Sequence, residues 1–204
     1  MKNRLSECRW ANKLNAIESS PFERTLYIDT DAFILDGSHV WPADHLRGKE
    51  WVSGRTSISH GFSVLSDNAF AACHDGASIH EHVSLGDGST RPLLENIEAL
   101  LSMHAIEKDY FPFINGGVIF CNNRSPEARM AIGMARKIMI SSHGLFQDHV
   151  ISDQICLSIA FRILGTMVHY LDEKVWNMRD YWRSVVGTKI VHHPTWPEVQ
   201  ARIK

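Results

Sequence analysis

An α/β fold is predicted by three observations. Short apolar runs of strand character alternate along the chain with segments whose apolar residues recur every three to four positions, the order that defines this class. The 204 residues are 44% hydrophobic and 22% charged, enough for one sizeable core and short for two, so a single domain over residues 1–204 is expected. No repeat, low-complexity run or linker interrupts that pattern.

Taken in order, residues 4–19 read as a helix, with Trp10, Leu14 and Ile17 on one face. Ser20-Pro21 ends it, because proline disfavours helical geometry in the residue before it. Thr25-Leu26-Tyr27-Ile28 reads as a short buried strand that carries Asp29-Thr30-Asp31 at its carboxyl end, and residues 69–73 read as a second strand. The stretches 36–68 and 74–91 hold neither period and read as long loops of the kind that carry function. Residues 113–121 read as a strand broken by Gly116-Gly117. Ser125 and Pro126 suit the N-cap and first position of a helix continued by Ala131, Ala135 and Ile138. A further helix begins near Ser152, where Ile155, Ile159 and Ile163 recur every four residues and Leu157, Ala160 and Leu164 widen the apolar face. Late strands are expected at 166–171 and 189–192.

Composition excludes several functions. A formal net charge of -2 gives no broad basic field, so nucleic acid is not a favoured partner. Cys8, Cys73, Cys121 and Cys156 are far apart and never C-x-x-C, which fits neither a zinc framework nor a disulfide scaffold and suits a reducing compartment. No stretch approaches the roughly 18 consecutive apolar residues of a membrane span, and the first residues lack a signal-peptide core, so a cytoplasmic location is expected. Asn123-Arg124-Ser125 matches a glycosylation acceptor pattern, which carries no weight in that setting.

The sharpest chemical feature is Asp29-Thr30-Asp31. Two carboxylates two residues apart face the same side of an extended chain and could bracket a hard divalent cation, Mn²⁺ or Mg²⁺. Ligands of open α/β sheets sit at the carboxyl ends of strands, where this pair falls. A bare D-x-D is also what a capped turn looks like. Gly116-Gly117 after Asn115 would allow backbone to approach a ligand closely, or would mark a β-bulge. Asp153, at a helix start, would favour the helix dipole whatever else it did.

Five segments in order carry a resemblance. Pro21-Phe22-Glu23-Arg24-Thr25-Leu26-Tyr27-Ile28-Asp29-Thr30-Asp31 resembles the "sPFerTLYLDtD" segment of GT-A type nucleotide-diphospho-sugar transferases related to glycosyltransferase family 8, which includes glycogenin and the lipopolysaccharide galactosyltransferases. Phe113-Ile114-Asn115-Gly116-Gly117-Val118-Ile119 is similar to that family's "FNsGVml", and Ser152-Asp153-Gln154-Ile155-Cys156-Leu157 to its "sDQ..L". Leu171 with Val175-Trp176-Asn177-Met178-Arg179 resembles "Lp..yN.R", and Ile190-Val191-His192 the late "iiH".

The resemblance implies a GT-A (Rossmann-like) fold and transfer of a sugar from a nucleotide-diphosphate donor, UDP-sugar favoured, to a carbohydrate or other hydroxyl acceptor. It implies Asp29, Asp31 and His192 as ligands of Mn²⁺ or Mg²⁺, with His193 an adjacent alternative; an imidazole ligand favours manganese. Asp153 and Gln154 would bind the transferred sugar beside its anomeric carbon, as the catalytic pair. Lys13, Thr30, Asn115, Gly116, Gly117 and Asn177 would line the donor and sugar site. In two respects the chain departs from the family. The family's nucleoside-binding half precedes the first helix, so the fold is expected to be N-terminally truncated here. Pro194-Thr195-Trp196-Pro197 also lacks the lysine of the family's late diphosphate-gripping element.

Two other classes fit parts of the sequence. A truncated remnant that binds a sugar nucleotide or a partner without turnover would keep the same residues. A haloacid-dehalogenase-like phosphatase also places D-x-D after an apolar strand, but Ala32-Phe33 suits it poorly and Leu85-Gly86-Asp87-Gly88 lacks the second acid that chemistry needs. His80-Glu81-His82 could suggest a second metal site, though such a loop pattern is more often incidental.

Overall fold

The computed structural model describes residues 11–30, 32–34, 58–75, 82–84, 90–92, 97–107, 111–142, 153–177 and 190–192. Helix α1 (Ala11–Glu18) leads into strand β1 (Arg24–Ile28) and the short strand β2 (Ala32–Ile34). Helix α2 (Ile58–Ser63) and a 3-10 turn (Val64–Ser66) precede β3 (Phe70–His74), β4 (His82–Ser84), β5 (Thr90–Pro92) and α3 (Ile97–Met103). Strand β6 (Ile114–Asn122), helices α4 (Pro126–Ser142) and α5 (Asp153–Leu164), β7 (Val168–Leu171), α6 (Glu173–Trp176) and β8 (Ile190–His192) follow.

The main sheet runs β1-β6-β3-β7. β6 is antiparallel to both of its neighbours, and β3 is parallel to β7. It follows that β1, β3 and β7 point the same way. Their carboxyl ends share one edge of the sheet with the amino end of β6, and Asp29, Asp75 and Asp172 stand directly after them. That edge is where an open α/β sheet holds ligands.

β6 is central because nearly every side chain on it is buried, as a strand covered on both faces requires. Its period-two alternation sorts the core. Ile119 and Cys121 join Phe70 and Ala72 of β3 against Leu14 and Ile17 of α1, Ile132 of α4 and Ile159 of α5. Val118 and Phe120 join Ala71 and Cys73 on the opposite face, with Leu65, Trp176 and Ile190. Sequence reading expected Gly116-Gly117 to break this strand; instead β6 is continuous through both.

Other expectations also shift. The stretch 36–68 holds α2 and the 3-10 turn among its described residues, and 74–91 holds β4 paired with β5. These elements are too short to display a period. Ile163 and Leu164 were expected on the apolar face of α5, yet they are 42% and 36% exposed while Ile155 and Ile159 are buried. The last turn of α5 therefore runs past the core before Gly165 turns the chain in a left-handed conformation (φ 66°). Ser125 does cap α4, its hydroxyl accepting from the Ala128 N–H at 3.4 Å. Asn123 is engaged structurally, its amide donating to Ile17 O at 3.0 Å and Thr25 Oγ1 at 3.0 Å, which ties the end of α1 to β1. Cys73, Cys121 and Cys156 are buried thiols outside any disulfide, and burial pushes the Cys121 thiol up to about 12, so it is not a nucleophile at neutral pH.

The second core face has no slack at Gly61. A Cβ added there would lie 2.2 Å from Phe120 Cζ, far inside contact distance. That ring is held edge-on by Phe62 at 5.2 Å and by Trp176 at 5.4 Å, so it has little room to swing. Gly61→Ala is expected to destabilise the fold by about 1–3 kcal/mol through overpacking, read as a lowered urea midpoint. An unchanged midpoint would show that Phe120 can give way.

Candidate active site

The site is built where α1, β1, β6 and α5 meet at the carboxyl edge of the sheet. Leu14 and Ile17 bury one face of α1, and this burial carries the neighbouring Lys13 inward. Lys13 is 8% exposed, and its ammonium lies 2.8 Å from Asp29 Oδ1, 3.0 Å from Asp153 Oδ2 and 2.9 Å from the Gly116 carbonyl. The Tyr27 ring faces the same ammonium, with its centroid 5.1 Å away. The Asp153 oxygen has no aligned hydrogen-bond donor, so that approach is a charge contact.

Helix α5 is pinned to the start of β6 at two points one turn apart. The Ser158 hydroxyl accepts from the Ile114 N–H at 3.2 Å, and Gln154 Oε1 accepts from the Gly116 N–H at 3.0 Å. Both backbone groups of Gly116 are thus taken by side chains, Lys13 on the carbonyl and Gln154 on the N–H. The space a Gly116 Cβ would fill is occupied by Asp153 Oδ2 at 3.1 Å and Gln154 Cβ at 3.1 Å. The close approach that Gly116 permits is therefore that of α5. Gly116→Ala should push Gln154 by a few tenths of an ångström and cost on the order of 1 kcal/mol, checked by thermal unfolding together with the amide resonance of Gln154. An unmoved resonance would place the slack elsewhere.

The electrostatics follow from burial. Burial works against the Lys13 charge, but Asp153 and Asp29 outweigh it, so its pKa is raised above the usual lysine range. Asp153 is 2% exposed; burial raises its carboxyl, and the Lys13 charge offsets this only in part. The Tyr27 hydroxyl is raised chiefly by burial, with Lys13 opposing and Asp29 adding to the shift.

Of the residues singled out from sequence, Lys13, Asp29, Gly116, Asp153 and Gln154 converge here. Asn115 Oδ1 accepts from the Gly117 N–H at 2.8 Å, and Gly117 O accepts from the Asp29 N–H at 2.9 Å, so both brace the end of β1. Thr30 is exposed in a turn closed by the Ala32 N–H donating to Asp29 O at 3.0 Å. Asn177 stands apart, buried at the end of α6, with its Oδ1 lacking a hydrogen-bond partner. Asp31, His193, His80 and Glu81 lie outside the described residues, as does the side chain of His192. The His192 backbone is placed: β2 pairs antiparallel with β8 so that Ala32 faces His192. Among the described residues no three His, Cys, Asp or Glu side chains converge as metal ligands.

Sequence reading missed two members. Asp75 is 5% exposed, and its Oδ2 accepts from Asn115 Nδ2 at 3.2 Å. Its signal was available, since it follows the apolar strand β3 just as Asp29 follows β1. Tyr27, a strand residue in sequence, faces the Lys13 ammonium with its ring.

No family model and no curated protein matches the sequence. Among solved structures, mouse xyloside xylosyltransferase 1 is similar with a TM-score of 0.50 and 13% identity, over 94% of this chain and 65% of that one. The galactosyltransferase LgtC, solved with donor and acceptor sugar analogues, is similar at a TM-score of 0.48 and 15% identity, over 90% of this chain and 57% of that one. The bifunctional glycosyltransferase WbbM is similar at 0.48 and 13%, over 84% of this chain and 29% of that one. The chain thus spans less than two thirds of the length of each. The fold is that of GT-A glycosyltransferases. No helix among the described residues is long and apolar enough to cross a membrane.

Proposed function

We propose that this chain is the sugar- and cation-handling part of a glycosyltransferase resembling family 8, moving a hexosyl group from a nucleotide-diphosphate donor to a hydroxyl acceptor. A UDP-sugar and a carbohydrate acceptor are the favoured pair. The observation that carries this reading is the convergence of Lys13, Asp29, Gly116, Asp153 and Gln154 from three helical and strand elements besides β1 at the ligand-binding edge of the sheet.

Carboxylate oxygens with an imidazole suit a divalent cation such as Mn²⁺, and Asp29 is placed to supply one such oxygen. Asp29 already holds a cation, the Lys13 ammonium, and its side chain is 25% exposed. The β2–β8 register sets His192 opposite Ala32, the residue after Asp31, which supports Asp29, Asp31 and His192 as a carboxylate-and-imidazole set suited to Mn²⁺, with Mg²⁺ second. A bound cation would offset the charge that gathers on the diphosphate as the sugar–phosphate bond breaks. Lys13 adds a positive charge at the same edge. Gln154, held by the Gly116 N–H, presents a side chain already oriented by backbone, and Asp75 with Asn115 offers a second polar wall at the same edge.

Isothermal titration with Mn²⁺ and a panel of sugar nucleotides, followed by a turnover assay, tests the reading. Donor binding that requires the cation, with hydrolysis or transfer, is the expected result. Donor binding without turnover would leave a non-catalytic binding remnant. No donor binding with any cation would overturn the proposal.

A further inference from the structure

Lys13 and the proposed cation make claims on the same carboxylate. The ammonium stands 2.8 Å from Asp29 Oδ1, at the distance of a charge-assisted hydrogen bond. It has two other holds, Asp153 Oδ2 at 3.0 Å and the Gly116 carbonyl at 2.9 Å, and the Tyr27 ring lies alongside. Those two holds are buried, whereas Asp29 is the more exposed partner, with 25% of its side chain open against 3% for Asp153. An ammonium anchored this way can release Asp29 and still be satisfied. It cannot release Asp153 without stranding a buried charge.

We infer that Lys13 is a tethered counter-ion that neutralises Asp29 until a divalent cation takes that carboxylate, and that Asp153 and Gly116 O are the rest position to which the ammonium then retires. This inference rests on the cation-site reading above. It gives Lys13 and Asp153 opposite effects on cation affinity through one carboxylate. Without Asp153 the ammonium leans on Asp29 and competes harder; without Lys13 the carboxylate loses the cation that competes for it. Lys13 is thus a positioning residue that sets the threshold at which the cation loads.

The test measures Mn²⁺ binding, with no nucleotide present, from the electron paramagnetic resonance signal of free Mn²⁺. Wild type, Asp153→Asn and the double variant Lys13→Met with Asp153→Asn are compared; the double variant removes the buried pair together and so avoids an unpaired charge. Asp153→Asn should bind Mn²⁺ more weakly, and the double variant more tightly than wild type, each by on the order of tenfold for a unit charge a few ångströms away. The comparison with wild type is decisive, because the double variant has the same net charge. If the double variant merely matches wild type, only net charge matters and the counter-ion role is overturned. Weakened binding in both variants would make the cluster a structural brace, which also overturns it. If wild type itself binds no Mn²⁺, the cation site fails, and this inference with it.

Discussion

Replacing Lys13 by methionine is expected to lower the stability of the fold by about 3–5 kcal/mol at neutral pH, the scale for stripping one partner from a buried ion pair. Methionine fills much of the lysine stem's volume, so lost packing contributes little. The cost comes from Asp153, which is 2% exposed and would have to hold a buried charge with no cation near or take up a proton, and from the Gly116 carbonyl, which would lose its donor. A loss of that size is a large share of an ordinary domain's roughly 5–15 kcal/mol.

The sign of the pH dependence separates this cause from a packing defect. Burial already raises the Asp153 carboxyl above its ordinary value, and removing Lys13 takes away the influence that opposes the rise. A group raised in the folded state contributes stability fully below its unfolded pKa, and that contribution is lost as pH rises through the folded pKa. The deficit of Lys13→Met relative to wild type should therefore shrink steadily as the buffer is made acidic. Urea unfolding of both proteins over a pH series measures it. A deficit that stays constant down to the carboxylate range would assign the loss to packing.

The same residues explain what could be read from the sequence. The long helices α4 and α5 were legible because each buries a face with the helical period, and Ala131, Ala135 and Ile159 lie where that period puts them. Strands β3 and β6 were legible as apolar runs, because both of their faces are buried. Elements as short as α2, β4 and β5 give no period to count. The break expected at Gly116-Gly117 failed because glycine's usual backbone penalty is answered from outside the strand, by Gln154 and Lys13. Of the site, the carboxylate at the end of β1 and the Asp153-Gln154 pair were legible as motifs. That Lys13 bridges Asp29 and Asp153 was not, because sequence spacing says nothing about a contact between residues as far apart in the chain as Lys13 and Asp153. Asp75 was legible by the same strand-end position as Asp29, but it falls in the stretch 74–91, which has no period and reads as loop.

Asp29→Asn and Asp31→Asn are each expected to reduce cation-dependent turnover by about 10³-fold, the scale on which a metal or oriented charge stabilises a transition state. Their stabilities should stay near wild type, because amide and carboxylate have nearly the same shape. For Asp29 there is a further reason: Lys13 keeps Asp153 and the Gly116 carbonyl, so no buried charge is stranded. The two variants should nevertheless differ in one respect. Asp29→Asn removes the exposed partner of the ammonium and leaves the whole Lys13 charge to Asp153, so urea unfolding should show a slightly firmer Lys13–Asp153 pair in that variant alone. Asp31→Asn should leave the pair as it is. Steady-state rates with saturating Mn²⁺, beside circular dichroism and urea midpoints, read both parts. Full turnover in Asp31→Asn would remove that residue from the cation site, whereas loss of turnover with loss of fold would make the aspartates supports of the turn after β1 and nothing more.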